Sequence, residues 1–357
     1  MVLYPAGNVG VADEKAQRGY WDTMRRIKMY GICLAMLLSL LGCGRAGDGR
    51  GENGNPQAGS VSAVIPETGE EASDEGLSMV SQDSETTFVP YQAPEFADSA
   101  FHADKAEGTE TVKLDLSALS QGYVAVSAES GKRLKFQVLK GDIKYNYNIA
   151  SDGTPSVFPL QSGDGTYTFK VMENVTEGKY APIYTAQKDV VLADEFQPFL
   201  RPSDYVNYSQ DSECVKKAAE LAQKAEDALG VVTAVYDYIT ANVKYDYPKA
   251  ESVQSGYLPD VDETLATGKG ICFDYASLTA AMLRSQGIPT KMVFGDVSPD
   301  DVYHAWNMFY TEETGWVTVK FQVSADSWNR LDLTFSAGGA DTSFVGDGNN
   351  YTDTSYY

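Results

Sequence analysis

Three side chains in the C-terminal half have the chemistry of a thiol nucleophile, a base and an acid that orients the base: Cys272, His304 and Asp332. Cys272 follows Gly268-Lys269-Gly270-Ile271 and opens a run in which Leu278, Met282 and Leu283 recur at helical spacing before Gly287-Ile288-Pro289 ends it. That spacing predicts a cysteine at a helix head, where unpaired N–H groups and the positive end of the helix favour thiolate over thiol. A buried structural cysteine would fit the same position. Lys269 between two glycines hints at a phosphate loop, but the first glycine and the Ser or Thr after the lysine are missing, which excludes it. His304 stands in Tyr303-His304-Ala305-Trp306-Asn307 and is the only histidine of this half. Alone, such a histidine is more often a satisfied core residue than a base. Asp332 lies between Leu331 and Leu333, an acid in apolar surroundings. Together the three supply nucleophile, base and orienting carboxylate in the chain order Cys, His, Asp.

Elements of both kinds must position them. Val215, Ala218, Leu221, Ala222, Ala225 and Leu229 predict one helix over 213–229, with Ser212 able to cap it. A second is expected over 231–243, breaking before Tyr247-Pro248, followed by a loop to Gly270. Strand-like runs cover 291–294, 303–310 and 315–323, with a short segment around Leu331, and Trp306, Trp316 and Trp328 are expected to fill the core. Helices followed by strands predict an α+β layer over 196–337. Before it, residues 109–192 carry short alternating segments separated by turn signals such as Ser130-Gly131-Lys132 and Ser151-Asp152-Gly153, the pattern of a β-sandwich-like domain over 99–195. Its Tyr-rich strands could form a carbohydrate- or peptide-binding face, but aromatic residues at period two are more often core. His102, just before these strands, has no partner in sequence and reads as a surface residue. Residues 338–357 read as a Gly/Tyr-rich tail.

The chain has 357 residues, 28 Lys and Arg against 50 Asp and Glu, and a net charge of −22, which excludes nucleic acid as a partner. Four cysteines and two histidines are too few for a disulfide scaffold or a Cys/His zinc cluster, so neither a metal nor a cofactor is expected. Arg25, Arg26 and Lys28 precede a short apolar run that ends in Leu40-Leu41-Gly42-Cys43. Residues 1–43 thus read as an upstream segment and signal peptide, and the final four resemble a bacterial lipobox, which implies lipidation of Cys43. Met24 begins a better signal than Met1. Residues 44–98, rich in Gly, Ser, Glu, Asp and Pro, read as a flexible acidic linker. The exported protein would then sit on the outer face of the bacterial cytoplasmic membrane, or on the outer membrane. Its acidity means that attachment depends on the lipid. Cys214 and Cys272 are expected to remain unpaired, since Cys272 needs a free sulfur to act.

From about Tyr205 to Thr334 the chain resembles the transglutaminase-like, papain-related superfamily. Five blocks occur in order: Gly256-Tyr257-Leu258-Pro259, Gly268 to Tyr275, Met282-Leu283-Arg284-Ser285-Gln286-Gly287-Ile288-Pro289-Thr290, Tyr303 to Asn307, and Arg330-Leu331-Asp332. Leu333-Thr334 stands where many members have Pro-Thr. The resemblance implies catalytic roles for Cys272, His304 and Asp332, and an amide-acting thiol enzyme whose substrate is a protein, a peptide or cell-wall peptide. The oxyanion would be held by the Cys272 N–H and a second donor, for which Tyr245 and Tyr257 are candidates. The alternative is a surface binding or scaffolding lipoprotein that keeps the fold without catalysis.

Overall fold

Period-two alternation builds the first half of the folded chain. The computed structural model describes residues 88–298, 302–312, 327–338 and 350–357, and from Val89 on they belong to one compact unit. Eight strands come first: β1 (Glu107–Gly108), β2 (Val112–Asp115), β3 (Tyr123–Ala128), β4 (Leu134–Lys140), β5 (Ile143–Ile149), β6 (Ser156–Pro159), β7 (Gly165–Thr176) and β8 (Lys179–Val190). They form two four-stranded antiparallel sheets, in the orders β1-β2-β3-β6 and β5-β4-β7-β8. In β4 the alternate residues Leu134, Phe136 and Val138 are buried, and Phe136 stacks at 5.2 Å on Phe158 of the facing sheet. Each such side chain contributes about 1.5–3 kcal/mol by leaving water. The fold class is therefore α+β with a strand-rich N-terminal region, as the sequence predicts.

The second half carries helices α1 (Glu213–Ala222), α2 (Ala228–Asn242), α3 (Tyr247–Ser252), α4 (Val261–Thr267) and α5 (Cys272–Arg284), and the short strands β9 (Lys244–Tyr245) and β10 (Lys269–Gly270). Strands β11 (Thr290–Val297), β12 (Val302–Thr311) and β13 (Ser327–Leu331), the short helix α6 (Leu333–Ala337) and β14 (Tyr351–Tyr356) complete it. The two helices expected over 213–229 and 231–243 are both present, but the first ends at Ala222 and the second starts at Ala228, because the Asp227 carboxylate accepts the Gly230 N–H at 2.7 Å and caps α2 there. The expected loop before Gly270 holds α3 and α4, capped by Asp246 and Asp260. Gly268, at φ 61°, ends α4 in the left-handed conformation that glycine adopts without strain. Its place in the chain brings β10 beside β9 just before Cys272.

Helix α5 is buried on all sides from Phe273 to Arg284, so it is the centre of the domain rather than its surface. Its aromatic surroundings join the two halves. Tyr147 of β5 stacks on Phe158 at 4.2 Å and meets Tyr205 at 5.6 Å; Tyr205 in turn packs on Phe273, the residue after Cys272, at 5.5 Å. The Tyr-rich inner face of the sandwich is thus core that buttresses helix α5. At the far end, the buried Arg284 donates Nε to Thr290 O and its two terminal nitrogens to Arg201 O and Tyr357 O, all within 2.8–2.9 Å. Burial lowers its pKa to about 10, which leaves it charged at neutral pH.

Two expectations are corrected. The segment read as a tail contributes β14, which pairs antiparallel with β11 and gives the sheet order β13-β12-β11-β14, and Tyr357 is buried. The end of the expected flexible linker is docked: Tyr91 donates its backbone N–H to Ala225 O at 2.8 Å and its hydroxyl to Gln286 O at 3.0 Å, while Phe96 packs edge-on against Tyr208. Aromatic side chains that pack on the folded domain fix this stretch. His102 is partly exposed, in keeping with a surface position, and its ring Nδ1 lies 3.0 Å from Asp115 Oδ2, which also accepts the His102 N–H at 2.7 Å. Residues 315–323 with Trp316, the linker before residue 88 and the leader with Cys43 lie outside the described residues, as does the Trp328 side chain.

At Gly295 strand β14 comes so close that an added Cβ would sit 2.0 Å from Thr352 O and 2.7 Å from the Trp306 ring. Gly295→Ala is expected to loosen β14 and lower stability by about 1–3 kcal/mol, measured by urea denaturation.

Candidate active site

Cys272 is the first residue of α5, and Ile271 precedes it in an extended conformation. The N–H groups of this first turn have no acceptor within the helix. The turn is held from below by Asp274, fully buried, whose Oδ2 accepts the Ile271 N–H at 2.8 Å and pairs with Lys249 Nζ at 2.8 Å. Its Oδ1 accepts the Tyr257 hydroxyl at 2.5 Å. Tyr257 therefore supports the helix head and does not present a free hydroxyl to an oxyanion; burial and the Asp274 charge push its pKa well up. Tyr245, the other candidate, lies in β9 in register with Gly270, two positions before Cys272, with its ring 5.0 Å from that of Tyr247.

His304 lies on β12, opposite Gly295 of β11, and is buried. Asn307, three residues on, donates its side-chain amide to Ala276 O of α5 at 2.9 Å and to Lys291 O of β11 at 3.4 Å. Through that amide the strand carrying the imidazole is fixed to the helix carrying the thiol. His304 Nε2 is 2.9 Å from Asp332 Oδ2. An ionised carboxylate only accepts, so Nε2 carries a proton and donates this bond; the Cys272 sulfur also acts electrostatically on the ring. Burial by itself lowers the histidine pKa. Asp332 and the Cys272 sulfur outweigh it and raise the value from 6.5 to about 10.

Asp332 is buried and precedes α6, where its Oδ1 accepts the Thr334 and Phe335 N–H groups at 3.0 and 3.1 Å. Its Oδ2 accepts the Tyr351 hydroxyl at 2.9 Å in addition to His304. The Phe335 ring lies 4.6 Å from the imidazole and Trp306 lies 6.2 Å away on the same strand. An acid before an apolar run is a helix-cap signal that sequence reading could have used for Asp332. Tyr351 offers no such local signal. Cys214, the other free thiol among the described residues, is buried, and burial with the Asp262 charge pushes its pKa far up. The arrangement can therefore hold a proton beside one accessible sulfur and keep the second sulfur inert.

Comparison with known proteins agrees with the domain level of this picture. Residues 215–321 match the family description "Transglutaminase-like superfamily", so the chain carries a transglutaminase-like domain. A UPF0252 protein of Methanocaldococcus jannaschii is 32% identical over 82 residues, 22% of this chain and 23% of that protein. An uncharacterized protein of Mycobacterium leprae is 30% identical over 181 residues, 48% of this chain and 57% of that one. The chain thus spans less than two thirds of the length of either relative. Among solved structures, a candidate cysteine protease from Cytophaga hutchinsonii aligns at 17% identity with a TM-score of 0.35, covering 71% of this chain and 73% of that one. The periplasmic domain of TgpA from Pseudomonas aeruginosa aligns at 14% identity and a TM-score of 0.30, covering 70% and 77%.

Two outcomes follow from the geometry. Tyr257→Phe removes one of the donors to the buried Asp274 and should lower stability by about 1–3 kcal/mol in urea denaturation. The raised pKa of His304 means that its contribution to stability is fully present below its unfolded value of 6.5 and is lost as the pH rises through about 10. The stability difference between the wild type and His304→Gln, measured by urea denaturation at several pH values, should shrink across that window.

Proposed function

We propose that the transglutaminase-like domain is a thiol enzyme acting on amide bonds, with Cys272 as nucleophile, His304 as acid and base, and Asp332 as the group that orients His304. The observation that carries the reading is the buried imidazole with a carboxylate on Nε2 at 2.9 Å and the helix-head Cys272 sulfur among the groups that raise its pKa. The Cys272 sulfur adds to the amide carbonyl carbon. The C–N bond breaks as His304 delivers its proton to the departing nitrogen, and ammonia or an amine leaves a thioester behind. Water or a second amine then attacks the thioester, giving its proton to His304 as the C–S bond breaks. The product is an acid or a new amide, and the sulfur is restored. The negative oxygen would be held by the Cys272 N–H at the helix head and by a second donor near Tyr245.

The substrate class in this reading is a protein, peptide or cell-wall peptide met outside the cytoplasm. We place the enzyme at the outer face of a bacterial membrane, held by lipid on Cys43. The basic and apolar residues before Leu40-Leu41-Gly42-Cys43 support that placement. Among the described residues no helix is long and apolar enough to cross a membrane.

The test compares wild type, Cys272→Ala, His304→Ala and Asp332→Ala for release of ammonia or amine from glutamine-containing peptides and peptidoglycan stem peptides. Cys272→Ala should be inactive, and the other two should be slower by at least about a hundredfold. If the wild type turns over none of these, and its iodoacetamide reactivity is unchanged by His304→Ala, the reading fails in favour of a binding or scaffolding role.

A further inference from the structure

Asp332 receives one donor that no step of the proposed reaction requires. Its Oδ1 is filled by the two α6 amides, and the Oδ2 that takes His304 Nε2 also takes the Tyr351 hydroxyl at the same 2.9 Å. The carboxylate cannot turn without breaking bonds at both oxygens. We propose that Tyr351 is a positioning residue for the His304–Asp332 pair, which makes the C-terminal strand β14 a part of the active site. This rests on the thiol-enzyme reading of that site.

Tyr351 is itself held in place. It is buried, its backbone pairs with Val297, and its ring meets the Trp306 ring edge-on at 4.9 Å. The Arg330 guanidinium also lies over the Tyr351 ring at 4.7 Å and bonds Asp353 of the same strand at 3.2 Å. Trp306 is two residues from His304 on β12, so the strand carrying the imidazole and the strand carrying the hydroxyl pack through these rings. A chain with β14 undocked would keep Cys272, His304 and Asp332 but leave Oδ2 with His304 alone.

The groups that face the imidazole are Asp332, the Cys272 sulfur and the Phe335 and Trp306 rings, with the Tyr351 hydroxyl on Asp332 and the Arg330 guanidinium over the Tyr351 ring. A hydroxyl that donates to Oδ2 binds the carboxylate more strongly when His304 is neutral than when an imidazolium shares the charge. It therefore favours neutral His304, the form that takes a proton from water during thioester hydrolysis. Removing it should raise the titration point of His304 and leave less neutral base at a given pH.

The test uses the full chain, p-nitrophenyl acetate as the acyl donor, and NMR of ring-labelled histidine, which is simple to assign because the chain has only two histidines. Tyr351→Phe keeps the ring and its packing. It should lower kcat for Cys272-dependent turnover about tenfold with KM unchanged, and should move the His304 titration upward. In an Asp332→Asn background the same change should have no further effect on kcat. Tyr356→Phe is the control on the same strand, since that hydroxyl bonds Asp353 instead, and it should change neither readout. Site-specific 3-fluorotyrosine at position 351, a stronger donor of nearly the same shape, should move the titration downward, so the proposal does not depend on the folding of the Phe variant. An unshifted titration with both substitutions, or slowing by Tyr351→Phe that adds in full to that of Asp332→Asn, overturns the proposal. If Cys272→Ala hydrolyses the ester as fast as wild type, the thiol-enzyme reading itself has failed. If Cys272→Ala is inactive and Asp332→Asn slow while Tyr351→Phe equals wild type, only the role of Tyr351 has failed.

Discussion

A carboxylate buried to the extent of Asp332 persists only if both of its oxygens are hydrogen bonded, because an unpaired buried charge costs several kcal/mol. The folding of the last part of the chain follows that constraint. Two amides of α6 cover one oxygen, and an imidazole from β12 and a hydroxyl from β14 cover the other. The same four bonds that make the charge tolerable set the imidazole plane and keep a proton on its Nε2. Together with the Cys272 sulfur, Asp332 raises the His304 pKa to about 10 in spite of its burial. Stability and chemistry here are one arrangement, so a change that weakens the pair affects both.

The thiol side of the site depends on a different set of contacts. Helix α5 is buried, and its head is pinned by the Asp274 bonds to Ile271, Lys249 and Tyr257. Beneath it, the aromatic path from Phe158 through Tyr147 and Tyr205 to Phe273 runs from the sandwich to the residue beside Cys272. The sandwich therefore backs the helix that carries Cys272. Asn307 ties this body to the strand that carries His304. In the proposed enzyme, a site assembled from a helix, a strand and a cap residue needs such ties, because an error of about an ångström in their relative positions costs orders of magnitude in rate.

The parts of the chain that were legible beforehand are those in which a local pattern fixes a local structure. Period-two runs such as Leu134/Phe136/Val138 gave their strands, and glycines before and after an apolar run marked α5. Cys272, His304 and Asp332 could be singled out by residue type and by motif, but nothing in their spacing says which atoms meet. The misread places have physical causes. Asp227, Asp246 and Asp260 each cap a helix start, and a cap inside an apolar or polar stretch outweighs the periodicity around it. Tyr351, Asp353 and Ser355 alternate as a strand does, but the glycines before them give the segment the composition of a tail. Its pairing with β11 is a long-range contact that no window of sequence contains. Tyr257 was a fair oxyanion candidate by chain position, and only the placement of Asp274 shows where its proton goes.

The most direct measurement is the mass of the covalent intermediate. The protein is mixed with a glutamine-containing peptide, quenched in acid and digested for peptide mapping by mass spectrometry. The account predicts a peptide-sized adduct, less the mass of ammonia, on the fragment that contains Cys272 and on no other, with the buried Cys214 unmodified. Turnover without any adduct on Cys272, or with the adduct on another residue, would contradict it.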